Sequence, residues 1–300
     1  MHEIAAHARS ILSPMLRAVH WNVRRFCRAD GKTSSVDDAL MTLRALGPLD
    51  VLSLNEVDAL QAPEALSVLA SALGLHAAFY GHARDGQYGN ALLTSSPLER
   101  RREVRLDGGS VVNFNGTDHR IVRGLLTGEI ALRSGGGTLR VATTHLDHIS
   151  EAERSTQAAH VVRELAAAEA GGPSTLLLGD LNALTRADYD DAQWQLHEAH
   201  RRERGWEPPA DAAASGNSLA LLAAANFSDV SRAVLHSGSR GWQSQPWTAH
   251  TCETDGPPYR IDYALVRPGT PSLTPVAAHV HELPVGISDH RPCVVDFSVG

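Results

Sequence analysis

Short apolar runs that end in polar residues recur along the whole chain. Runs of four to eight apolar residues without helical spacing are typical of buried strands. We therefore predict strands over residues 16–23, 50–54, 75–80, 89–94, 121–132, 139–145, 175–178, 260–266 and 292–299. The polar residues that follow them predict strand ends at an exposed edge.

Helical spacing of apolar residues appears in fewer places. It predicts helices over residues 36–46, 63–73, 151–170 and 188–204, with Ser150 as the cap of the third. Strands outnumber helices and do not alternate with them strictly, which favours two packed sheets with helices outside them. Because no linker divides the chain, we expect one domain over residues 1–300, with a helical insertion over 185–217.

Composition narrows the class of protein. The chain is 43% apolar and 20% charged, as in ordinary globular proteins. Its three cysteines are far apart in sequence and predict neither a disulfide framework nor a zinc cluster. No secretion signal and no apolar stretch of membrane-spanning length is seen, so a cytoplasmic location is expected. The sequence leaves the oligomeric state open.

The chemistry of the predicted strand ends is more specific. The polar residues there are Asn22, Glu56, His145, Asp180 and Asp262, and Asp289 and His290 precede the last strand. Each one alone has an ordinary structural explanation as a turn former, a cap or a core residue. Together they suggest that the strand ends converge on one rim and form a site there. Carboxylate and amide oxygens suit a hard cation such as Mg²⁺.

Seven short motifs carry a resemblance to a known family. They are HWN (20–22), LNE (54–56), GNALLTSSP (89–97), TTHLDH (143–148), GDLNA (179–183), RIDY (260–263) and SDH (288–290). In this order, and over almost the entire chain, they resemble the endonuclease/exonuclease/phosphatase superfamily typified by deoxyribonuclease I. The resemblance implies an α/β fold, a four-layer α/β/β/α sandwich of two mixed sheets flanked by helices, with the site at one edge of the sheets.

The resemblance also implies a metal centre. Asn22, Glu56 and Asp289 match the family's metal-binding positions, with Glu56 as the principal ligand of Mg²⁺ or Mn²⁺. Asn55 departs from the family, which usually has Gln before this glutamate. Asn keeps the amide on a shorter side chain, so we expect little change.

The remaining matches imply the catalytic residues. Asp180 and Asn182 match the pair that orients the attacking water and holds the phosphate, and His290 matches the catalytic histidine. Asp262 matches its carboxylate partner, and His145 matches a second histidine position that contacts the phosphate or the leaving oxygen. From the chemistry alone, either a carboxylate or an imidazole can take the proton of the water.

We therefore predict a divalent-metal-dependent hydrolase of phosphate esters that acts by in-line attack of an activated water. The net charge of −7 and the single lysine, Lys32, favour a small or single-ended phosphate ester over long duplex DNA. A DNA or RNA nuclease on the same fold is the first alternative, so nucleic acid is a less favoured partner. A catalytically inactive binding module is the second alternative.

Other classes of hydrolase fit the sequence less well. The GKT at residues 31–33 lacks the first glycine of a P-loop, because position 26 is Phe. No G-x-S-x-G motif of a serine hydrolase occurs. Residues 145–148 resemble part of a zinc-hydrolase motif, but Thr143 stands at its first histidine. Stoichiometric zinc in the protein would favour that reading.

Overall fold

The structure is a computed structural model of the 300-residue chain. It describes residues 15–133, 137–166, 171–207, 217–236, 251–253, 256–283 and 286–300.

The first sheet contains six strands. They are β1 (Met15–Asn22), β2 (Val51–Asp58), β3 (His76–Ala83), β4 (Tyr88–Thr94), β13 (Leu273–Val280) and β14 (Cys293–Val299). Their order across the sheet is β13-β14-β1-β2-β4-β3. The central pair β1 and β2 is parallel and the other neighbours are antiparallel, so the sheet is mixed.

The second sheet also contains six strands. They are β5 (Glu99–Arg105), β8 (Gly124–Ala131), β9 (Thr138–His145), β10 (Thr175–Asp180), β11 (Ser228–Asp229) and β12 (Asp262–Arg267). Their order is β11-β12-β10-β9-β8-β5, and only β9 and β10 are parallel. A separate hairpin is formed by β6 (Val111–Phe114) and β7 (Thr117–Arg120).

Helices lie outside the two sheets. They are α1 (Val36–Ala45), α2 (Ala65–Leu73), α3 (Glu151–Ala166), α4 (Asp191–Glu203), α5 (Ser218–Ala224) and α6 (Val230–His236), with short 3₁₀ turns at Arg24–Phe26 and Arg186–Asp188. None of the helices in the described ranges has the length and apolar character that a membrane crossing requires.

Apolar side chains of β1 show how the layers form. Leu16 and Ala18 belong to the core between the sheets, whereas Val19 and Trp21 belong to the core under α1 and α2. Because side chains alternate between the faces of a strand, a strand buried on both faces needs a continuous apolar run. A third core lies between the second sheet and α3 and α5. These layers confirm the predicted α/β/β/α sandwich.

Every predicted strand and helix is present, with shifted ends. Residues 167–170 of the predicted third helix, and 208–216 of the predicted insertion, lie outside the described residues. Ser150 caps α3, since its Oγ accepts from the backbone N–H of Glu153 at 3.3 Å. The helix of the insertion begins at Asp191 rather than at 188, because Asp190 and Gln193 form a reciprocal capping box. The extent of the domain stays a prediction.

The strand register places the site. In the parallel pairs, Asn22 lies beside Asn55, and His145 lies beside Asp180. The antiparallel strand β12 begins where β10 ends, so Asp262 also lies beside Asp180. Carboxyl ends of parallel strands share one edge of a sheet, which explains why residues distant in sequence meet here.

Candidate active site

Asp262 joins two histidines at the centre of this edge. Its Oδ2 accepts a hydrogen bond from His290 Nδ1 at 2.8 Å, and its Oδ1 accepts from His20 Nε2 at 2.9 Å. The Asp262 side chain is fully buried, and His290 is 6% exposed and faces a cavity. The carboxylate fixes the His290 tautomer, so Nε2 points toward the cavity and Asp180, which lies 3.7 Å away.

Asp180 lies between the two cavity-facing imidazoles. Its Oδ2 is 3.4 Å from His145 Nε2 and accepts from the amide of Asn22 at 3.0 Å. Its Oδ1 accepts from the backbone N–H of Asn182 at 3.1 Å. The Asn182 side chain lines the cavity, and its backbone has a positive φ of 51°. Such a conformation is uncommon for residues other than glycine and is frequent at functional sites.

Glu56 lies at an irregularity of β2. The pairing of β2 with β4 shifts between Leu54 and Val57, and Glu56 has a φ of 57°. This bulge turns the Glu56 carboxylate into the cavity, where the amide of Asn22 donates to it at 3.2 Å. A bulge that redirects one side chain is a frequent feature beside active sites.

The predicted metal ligands meet at this end of the cavity. Glu56 and Asp289 both line it, and the Ser288 hydroxyl ties the Asp289 turn to the backbone oxygen of Asn22 at 2.8 Å. The Asn22 side-chain oxygen accepts from the Arg24 N–H at 3.1 Å, so direct ligation by Asn22 requires rotation of its amide. Two cavity-facing carboxylates form an oxygen donor set that fits Mg²⁺ or Mn²⁺.

A second group of potential ligands overlaps the site. Ligand atoms of Asp180, Asp262 and His290 lie within 4.8 Å of one another. However, Asp262 already accepts from two histidines, and His290 Nδ1 is bound to it. These hydrogen bonds therefore occupy both oxygens of Asp262 and one ring nitrogen of His290.

The pKa values of Asp180, His290 and Asp262 are shifted in different directions. Burial and the charge of Asp262 raise the pKa of Asp180 to about 7. Burial alone would lower the pKa of His290, but Asp262 and the other nearby anions outweigh it and raise that pKa well above its usual value. Burial opposes ionisation of Asp262, yet His290 and His20 hold its pKa well below the usual range. Such opposed shifts characterise acid–base sites.

His145 has the opposite environment to His290. Burial and the positive charge of Arg123 lower the pKa of His145 well below its usual value. Because its Nδ1 accepts from Arg123 Nη1 at 3.1 Å, its proton is on Nε2, which faces Asp180. His145 is thus a neutral imidazole whose Nε2–H faces Asp180.

The cavity has a volume of about 950 Å³ and contains the predicted residues except Asn22 and Asp262, which support it from behind. Five arginines line it, against three carboxylates. They are Arg84, Arg120, Arg123, Arg201 and Arg204. The local charge is therefore opposite in sign to the net charge of −7, and net charge was a poor guide to this site.

Several contributors were not predicted as site residues. His20 was part of a quoted motif without a role, and Asn55 links the sheets because its Oδ1 accepts from the Asp180 N–H at 2.9 Å. From the insertion, Trp206 reaches the cavity, whereas Trp194 packs in a small core with Tyr189. The sequence could have indicated Asn55 as a site residue, because it directly precedes Glu56 on the same strand.

Comparisons with known proteins identify the family and the fold. A family model described as the Endonuclease/Exonuclease/phosphatase family matches residues 19–290. Among curated protein sequences, none matches this chain.

Solved structures share the fold. An endonuclease/exonuclease/phosphatase from Beutenbergia cavernae is 23% identical, with a TM-score of 0.61, covering 96% of this chain and 72% of that one. A mannosyl-6-phosphatase from Bacteroides thetaiotaomicron is 16% identical, with a TM-score of 0.62 and coverages of 94% and 99%. D. rerio TDP2 in complex with a single-strand DNA product is 20% identical, with a TM-score of 0.55 and coverages of 94% and 98%. By the family model, which spans nearly the whole chain, this protein belongs to the Endonuclease/Exonuclease/phosphatase family.

Proposed function

We propose that the chain is a Mg²⁺- or Mn²⁺-dependent hydrolase that cleaves a phosphate ester by in-line attack of a water molecule. The observation that carries the proposal is the His290–Asp262 pair beside Asp180, open to the cavity that Glu56 enters. Membership of a family whose description includes nucleases and phosphatases supports the same reaction class.

Each residue around the cavity has its own role in the proposed reaction. Asp180, with a pKa raised to about 7, is suited to orient a water and take its proton at neutral pH. His290, held protonated by Asp262, and His145, a neutral donor, are placed to bind the phosphate oxygens. Asn182 completes this wall of the cavity.

Glu56 and Asp289, with Asn22 after rotation of its amide, are the residues that would hold the metal. A bound Mg²⁺ supplies positive charge that neutralises phosphate oxygens as bonding changes. Before that rotation, the Asn22 amide donates to Glu56 at 3.2 Å and to Asp180 at 3.0 Å, so it links the two carboxylates.

The test is a panel of phosphate monoesters, phosphodiesters and oligonucleotides, assayed with Mg²⁺, with Mn²⁺ and in chelator. Activity should disappear in chelator and return with either metal. Glu56→Gln should greatly weaken the response to metal, while Arg163→Gln, a change at an exposed arginine paired with Asp107, should not. Full activity in chelator would contradict the mechanism.

A nuclease is the second candidate, favoured by the five arginines of the cavity. Single-stranded or end-processing substrates fit this feature better than long duplexes, because the arginines lie within one cavity rather than along an extended track. Oligonucleotides in the same panel decide between the two candidates.

A further inference from the structure

Arg123 is a buried arginine that forms no ion pair among the described residues. The residue is 5% exposed, and no carboxylate there lies within ion-pair distance of its guanidinium. Its Nε is buried without a hydrogen-bond partner. A buried arginine is normally paired, because a buried charge without a partner is costly.

The neighbours of Arg123 are neutral acceptors. Its Nη1 donates to His145 Nδ1 at 3.1 Å, and its Nη2 donates to His148 Nδ1 at 3.3 Å. Both imidazoles have lowered pKa values, that of His148 falling to about 4 through burial and the charge of Arg123. The guanidinium therefore orders two rings beside the cavity, and neither ring neutralises its charge.

A second buried arginine lies on the same side of the cavity. Arg201 is 3% exposed and donates to the backbone oxygens of Glu207, His148 and Ile149, without a carboxylate partner among the described residues. Trp206 stacks near it, with the guanidinium carbon 5.4 Å from the ring centroid, and contacts His148 edge-on at 5.2 Å.

The side of the cavity that contains Arg123 and Arg201 is distinct from the proposed reaction centre at Asp180 and His290. The imidazole ring of His145 separates them, since its Nδ1 faces Arg123 and its Nε2 faces Asp180. A phosphate placed at Asp180 and His290 therefore leaves the far side of His145 available. Arg120, on the β6–β7 hairpin, also lines the cavity.

We propose that Arg123, with His148 and Arg201, forms a second anion subsite that binds a second phosphate group of the substrate. The substrate class is then a small molecule carrying two phosphate groups, one cleaved at Asp180 and one held at Arg123. This assignment of the substrate rests on the proposed function, whereas the anion subsite itself does not.

Binding of inorganic phosphate tests the subsite without catalysis. By calorimetry in chelator, phosphate should bind the wild-type protein, and it should still bind the His290→Ala protein, which lacks one of the proposed phosphate donors of the reaction centre. Arg123→Gln should weaken binding about 10- to 100-fold, as expected for loss of a charged hydrogen-bond partner. Arg84→Gln, at a cavity arginine already paired with Asp58 at 2.7 Å, is the matched control and should have little effect. If Arg123→Gln does not fold, Arg123→Met replaces it in the same binding measurement.

The opposite pattern would overturn the proposal. If phosphate binding is lost in His290→Ala and kept in Arg123→Gln, the anion binds at the reaction centre only. An equal loss in Arg84→Gln would show a general effect of cavity charge rather than a subsite at Arg123.

Matched substrates test the substrate class. Adenosine 2′-monophosphate is compared with adenosine 2′,5′-bisphosphate, and glucose 1-phosphate with glucose 1,6-bisphosphate. In a pair that turns over, kcat/KM should favour the bisphosphate, and Arg123→Gln should reduce that ratio about 10- to 100-fold. A misplaced His145 would slow hydrolysis of the monophosphate and of the bisphosphate equally and would leave the ratio of their kcat/KM values unchanged. A change in this ratio therefore reports binding of the second phosphate. An unchanged ratio refutes the substrate class, and no hydrolysis of any ester refutes the proposed function while the binding result still stands.

Discussion

The pairing of Asp262 with His290 makes a quantitative prediction about catalysis. If Asp262 acts through His290, their substitutions must not be additive. The perturbations are Asp262→Asn, His290→Ala and the double variant. Asn keeps an oxygen for His290, and its amide can donate to His20, whose other nitrogen can then donate to Ser53 Oγ at 3.0 Å. The substitution therefore removes the charge and keeps the hydrogen bonds.

The magnitude follows from the geometry. The Nδ1–Oδ2 distance of 2.8 Å and the full burial of Asp262 describe a charge-assisted hydrogen bond, worth about 1.5–3 kcal/mol. At about 1.4 kcal/mol per factor of ten, Asp262→Asn should lower kcat about 10- to 150-fold. His290→Ala removes the imidazole itself and should lower kcat by about 10²- to 10⁴-fold.

In the His290→Ala background, Asp262→Asn should cost less than about threefold, because its partner is already absent. The assay is kcat at saturating metal with a turned-over phosphate ester, with melting temperatures to confirm folding. Asp147→Asn is the matched control, since Asp147 is also fully buried but accepts from Ser110 and from backbone N–H groups. Its effect should be the same in both backgrounds. Full additivity of Asp262→Asn and His290→Ala would refute the pairing mechanism.

Three further predictions concern stability and substrate. Burial and the charges nearby lower the pKa of His197 to about 4, from 6.5 in the unfolded chain, so stability is lost as pH falls from 6.5 toward 4. His197→Phe should reduce the slope of the free energy of unfolding against pH by up to about 1.4 kcal/mol per pH unit, measured by denaturant unfolding. An unchanged slope would exclude His197 as its cause. Trp194→Ala should destabilise the fold by about 3 kcal/mol because it packs in a buried cluster, whereas Trp206→Ala should raise KM and leave the melting temperature nearly unchanged. Asp180→Asn protein should bind duplex DNA weakly over a salt series; a steep salt dependence implying ~5 or more phosphate contacts would restore a duplex nuclease.

The elements that the sequence predicted well are the strands buried on both faces. β10 has an uninterrupted apolar run, Leu176 to Leu178, and β1 and β9 each carry one arginine among their apolar residues. All three strands contribute side chains to two cores. The missed strand β5 reads Glu-Arg-Arg-Arg-Glu-Val-Arg and is almost wholly exposed. It pairs with β8 through its backbone at the edge of the sheet, where side chains need not be apolar. The helices α5 and α6 were missed because each has only seven residues.

The site was predictable in part for a similar reason. Residues at strand ends, such as Asn22 and Asp180, converge where the strands pair in register, so the pattern along the chain is sufficient to suggest them. Glu56 joins them from a bulge within β2. Arg123 immediately precedes β8, and Trp206 follows α4. Their meeting depends on tertiary packing across the cavity, and no local pattern reports it.

The acidic residues of the site and the arginines that line the cavity are held by different parts of the fold. The acidic groups Glu56, Asp180 and Asp262 lie on paired strands, which hold them in fixed relation. The basic wall of the cavity consists of Arg120, Arg123, Arg201 and Arg204. These arginines come from the β6–β7 hairpin, from the segment before β8 and from the insertion after β10. Rigid scaffolds with variable loops let chemistry and recognition change separately. Substitutions on the strands should therefore act mainly on kcat for every ester, and substitutions on the basic wall should act mainly on KM and on the order of substrate preference.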